Sequence, residues 1–84
     1  MWIVTNKLIF SLYPEDIAEP VGTEIKINRS GTAEEFTLKF NTEETATAAW
    51  KKLQDAVKKG FQNVSIYTCE EVRREITGRK GRLF

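Results

Sequence analysis

Apolar positions along the chain change their spacing once and cleanly, between Phe36 and Phe61. Phe36, Leu38 and Phe40 alternate with polar residues, as in a half-buried strand. Ala46, Ala49, Trp50, Leu53 and Val57 then recur at helical spacing and form an amphipathic stripe. Asn41 stands where it can cap that helix, and Glu44 stands where it can complete a capping box. Gly60 suits the left-handed residue that stops the helix, with Phe61 placed to fold back on Ala56 or Val57.

Upstream, Trp2 to Tyr13 reads as one long strand. Trp2, Val4, Leu8, Phe10 and Leu12 share one parity and Ile3, Ile9 and Tyr13 the other. Both faces are therefore apolar, as in a central or doubly covered strand, with a bulge expected at Thr5–Asn6. The segment from Pro14 to Pro20 reads as a loop, since proline cannot donate to a sheet ladder. A second strand spans Thr23 to Arg29 with Ile25 and Ile27 inward. A turn at Asn28–Gly31 returns the chain into an antiparallel third strand, Glu34 to Phe40. After the helix, Asn63 to Thr68 forms a fourth strand with Val64 and Ile66 inward. Thr68 and Glu71 then read as the capping box of a short second helix, Cys69 to Thr77, stopped by Gly78. The pattern predicts an α+β fold: a small, predominantly antiparallel sheet in the order β-β-β-α-β-α, with one long amphipathic helix packed on one face.

A chain of 84 residues holds one core. The reading is a single globular domain over 1–78 and a basic tail over 79–84. Hydrophobic and aromatic fractions of 40% and 11% are those of a folded globule. Cys69 is the only cysteine, so no internal disulfide forms. No apolar run approaches the length of a membrane span, and the Met-Trp-Ile-Val start lacks the features of a signal peptide. A soluble, intracellular (cytoplasmic) protein with no membrane contact is the resulting expectation.

The chain contains no histidine, which removes the usual neutral-pH general base and every imidazole metal ligand. Glu15/Asp16, Glu34/Glu35, Glu43/Glu44 and Glu70/Glu71 are adjacent carboxylates that diverge on a strand or helix, and no phosphate-cradling glycine loop is present. No catalytic residue, cofactor, metal or small-molecule substrate is expected, and Cys69 and Trp50 read as core. The motif F-x-L-x-F, an acidic helix start, and Trp50, Leu53 and Ala56 together resemble the closing strand and helix of pleckstrin-homology domains. The stretch before the helix is too short for that family's strands and a further strand follows it, so no lipid-binding function is carried over.

Charge is distributed unevenly. Residues 1–50 carry net −4 and residues 51–84 net +5, within a total of +1. Opposed halves suit electrostatic contact with a partner or with another copy. Candidate interaction residues are Trp2 as an aromatic anchor, the loop acids Glu15, Asp16 and Glu19, and the basic run Arg73, Arg74, Arg79, Lys80 and Arg82. The expected function is a small non-enzymatic interaction module acting by protein–protein contact or self-association, with a homodimer in view. The alternative is a nucleic-acid-binding accessory protein whose Arg/Lys-rich C-terminus grips phosphates.

Overall fold

The computed structural model describes residues 1–29 and 34–76. Its elements are β1 (Trp2–Val4), β2 (Ile9–Ser11), β3 (Ile17–Val21), β4 (Glu24–Asn28), β5 (Glu34–Lys39), α1 (Glu43–Lys59), β6 (Asn63–Ser65) and β7 (Glu71–Ile76). They form a three-stranded sheet, β2-β1-β6, and a four-stranded sheet, β3-β4-β5-β7. Every pairing is antiparallel except β1 with β6, so the fold is the expected antiparallel-rich α+β class. No helix among the described residues is long and apolar enough to cross a membrane.

The long first strand is in fact a hairpin. Thr5 Oγ1 accepts the backbone N–H groups of Lys7 at 3.1 Å and Leu8 at 2.9 Å, and its hydroxyl donates to the Leu8 carbonyl at 2.8 Å. This hydroxyl-organised turn folds the chain where a bulge was expected. It also resolves the two-sided apolarity: Ile3 and Phe10 become cross-strand neighbours in the core, leaving Trp2 and Ile9 on the outer face.

The segment read as a loop between two prolines contains β3. Pro20 is accommodated because β3 is an edge strand, where a missing donor costs no ladder bond. Gly22, at φ 63°, opens the two-residue turn into β4, while Thr23 keeps negative φ, as a type II′ hairpin turn requires. Ile25 and Ile27 are fully buried, as their alternation indicated. Part of the Asn28–Gly31 turn lies outside the described residues.

Thr42, rather than Asn41, caps α1: its Oγ1 accepts the Thr45 N–H at 3.1 Å. At the other end Gly60 adopts φ 73°. Its N–H reaches the Val57 carbonyl at 3.2 Å, and Phe61 N–H reaches Ala56 at 3.0 Å. That is the Schellman arrangement. Ala46, Ala49, Leu53 and Ala56 bury the helix and half-buried Trp50 packs against that core, whereas Val57 is exposed and departs from the stripe.

The expected second helix is a strand. β7 pairs residue for residue with β5 from Lys39↔Glu71 to Glu34↔Ile76 and sets Val72 opposite Leu38. A helix of this length is marginal by itself, whereas the strand form satisfies an otherwise open edge of β5. Gly78 and the 79–84 tail lie outside the described residues.

Candidate interaction surfaces

Arg29 organises one end of the core. Its guanidinium lies 4.7 Å from the centroid of the Tyr13 ring and 5.2 Å from that of Phe36, and Phe36 stacks on Phe10 at 4.1 Å with rings 5° from parallel. It donates to the Ser11 carbonyl, and it approaches Asp16 Oδ2 and Glu34 Oε1 at 3.4 Å each. Asp16 Oδ2 also accepts the Tyr13 N–H at 3.0 Å. The Asp16 side chain has no solvent exposure. This loop acid, expected at an interaction surface, is instead a buried tether between the β2–β3 connection and β4.

A groove of about 570 Å³ runs between the C-terminal half of α1 and the β2–β3 connection, with Tyr13, Trp50, Val57 and Phe61 among its lining. Asp16 borders it, and among the described residues Asp16 Oδ1 has no hydrogen-bond partner. Because that carboxylate is wholly covered, the groove does not present it to a ligand.

The two sheets differ on their outer faces. Trp2 and Ile9 are exposed on the three-stranded sheet, with Val4 between them in register. On the four-stranded sheet the outer face is a lattice of charge: Lys39 Nζ lies 3.9 Å from Glu24 and 3.6 Å from Glu71, and Arg73 lies 3.7 Å from Glu71. Glu19 is exposed and stands opposite Lys26 in the same lattice, and Glu15 is exposed in the loop.

Strand geometry also separates the basic run. Successive side chains alternate faces, so Arg73 joins the outer lattice while Arg74 lies on the opposite face. There Arg74 Nε donates to Glu34 Oε2, and its guanidinium sits 6.0 Å from the Phe36 ring centroid. A helix would have placed these residues with Arg79, Lys80 and Arg82 as one basic patch; those three lie outside the described residues. Trp2 is a solvent-facing residue at the start of the central strand β1.

The sequence pattern allows an open edge at the first strand, but β1 is central to its sheet; the edges at β3 and β7 escape the pattern, which reads as a loop and a helix there. Their hydrogen-bonding phase follows from the β4–β5 hairpin. Arg29 N–H bonds Glu34 O at 2.8 Å and Phe40 N–H bonds Thr23 O at 2.9 Å, so even-numbered β5 residues face β4. Alternation then turns Glu35, Thr37 and Lys39 toward β7, and Glu71, Arg73 and Glu75 toward β5. The N–H and C=O groups of Val72 and Arg74 therefore point away from the sheet. The same parity on β3 directs Ala18 and Pro20 outward, in agreement with Pro20 having no N–H to give.

Cys69 is buried just before β7, its Sγ–H donating to the Glu71 carbonyl at 3.1 Å. Burial pushes the thiol above its ordinary value of 9.0, and the nearby Glu70 and Glu71 charges act in the same direction. No cluster of three metal-ligating side chains occurs among the described residues.

No protein-family model, curated protein or solved structure matches this chain.

Proposed function

We propose that this protein is a small non-enzymatic interaction module that acts by protein contact, with self-association as its form. The observation that carries this reading is the outer edge of β7. Six residues long, it is bordered by no further strand among the described residues and holds no proline. An edge of this kind presents backbone donors and acceptors to an incoming strand. Exposed Trp2 and Ile9 supply a second contact surface of a different chemistry. The lack of any histidine supports a non-catalytic role.

Phosphate binding by the basic run draws less support. Arg73 and Arg74 lie on opposite faces of one strand, and each has a carboxylate partner. Sedimentation equilibrium up to about 1 mM protein, enough to detect a contact of about −4 kcal/mol, tests the proposal. Mass rising above that of the 9.7 kDa chain is the expected result. A single monomer mass across the whole range ends the self-association reading.

A further inference from the structure

Resting on that reading, we propose that the contact is a second copy of this chain, joined by antiparallel pairing of β7 with β7 about a two-fold axis at Arg74. Backbone phase restricts the choice. Val72 and Arg74 carry the outward groups, so an even-numbered position of one copy pairs with an even-numbered position of the other. The two-fold axis then passes through a residue rather than between residues, and equivalent faces of the two sheets continue into one another.

Charge and length of overlap together choose among the remaining registers. Centring on Arg73 sets Arg73 against itself and Glu71 against Glu75, which is repulsive at every charged outer-face pair. Centring on Val72 overlaps only positions 71–73 of the strand, and centring on Glu75 overlaps only 74–76 and sets Glu75 against itself. Centring on Arg74 overlaps positions 72–76 and places Arg73 of each copy opposite Glu75 of the other, so two opposite-sign pairs form across the axis. Its one like pair is Arg74 with Arg74, and each of those guanidiniums is already engaged by Glu34 beside the Phe36 ring. Edge charges ordinarily keep strands apart. Here the order Arg73, Arg74, Glu75 is complementary to its own reverse.

The contact extends each four-stranded sheet into one of eight strands and leaves the Trp2–Ile9 faces uncovered. It is isologous and closed, so association stops at the dimer. Because it is small and partly ionic, salt weakens it.

Single charge reversals followed by mixing test the register. Arg73→Glu makes both outer pairs acidic, Glu75→Arg makes both basic, and each variant alone should associate at least about tenfold more weakly than wild type. Mixed one to one, the two variants restore both opposite-sign pairs, so a heterodimer of wild-type affinity is expected by sedimentation equilibrium at low salt. That rescue also shows that the variants fold. A wild-type dimer that survives Arg73→Glu, that the mixture fails to restore, or that Trp2→Asp abolishes instead, overturns the β7 register while self-association stands. A wild-type protein that stays monomeric overturns both.

Discussion

β3 and β7 close the two sides of the same four-stranded sheet, yet they turn different backbone groups outward. β3 directs Ala18 and Pro20 outward, so its edge offers a single donor. β7 is longer, directs the N–H and C=O groups of Val72 and Arg74 outward, and alternates charge so as to suit its own reverse. Exposed Ile17 and Val21 make β3 the more apolar edge. Hydrophobicity alone would therefore select β3, whereas the proposed contact lies at β7. Backbone donors and charge order separate the two.

The largest way to break this comparison is to remove what sets β3 in place. Arg29→Ala strips the buried Asp16 carboxylate of its cation, which should cost about 3 kcal/mol and appear as a lowered denaturation midpoint. A change below about 0.5 kcal/mol would mean that the Arg29 cluster is not the tether described. Next in size, Arg74→Pro gives β7 the defect that β3 already carries. The lost N–H faces outward, so the circular dichroism spectrum should be retained while self-association falls at least about tenfold. Retained association would place the contact elsewhere.

Pro20→Ala sharpens the comparison from the other side by adding a donor to β3. Light scattering should then detect species larger than a dimer at high concentration, with stability within about 1 kcal/mol of wild type. The smallest effect lies at Cys69, where the chain enters β7. Its raised thiol pKa means that the unfolded chain gives up this proton at lower pH than the folded one. Stability from this group is complete below 9.0 and is lost as pH rises from there toward the raised native value. Alkylation should accordingly be much slower in the folded protein than in denaturant; equal rates would contradict the burial.

Much of the fold was legible in the sequence where local signals and packing agree. Alternation at Ile25/Ile27 and Phe36/Leu38 marked the hairpin core, and Gly60 marked the end of α1. Elsewhere tertiary context overrode local preference. Thr68 and Glu71 satisfy a capping pattern, but Val72 opposite Leu38 and the open side of β5 draw the segment into a strand. Thr5 turned one apparent strand into two, because a hydroxyl that organises three backbone groups of Lys7 and Leu8 does not register in an apolar pattern. Among the candidate interaction residues, exposure of Trp2, Glu15 and Glu19 followed from position. Burial of Asp16 did not, since its partner Arg29, just past the end of β4, is brought alongside by the β3–β4 hairpin. The edge of β7 was hidden for the simplest reason: a segment read as helix has no sheet edge.

Amide hydrogen exchange, followed residue by residue as protein concentration is raised, tests the central claim most directly. The outward amides of Val72 and Arg74 should exchange quickly in dilute solution and become protected as mass doubles, while the outward amide of Ala18 stays fast throughout. Association that raises the mass yet leaves the Arg74 amide exchanging as fast as before would contradict the pairing of β7 with β7.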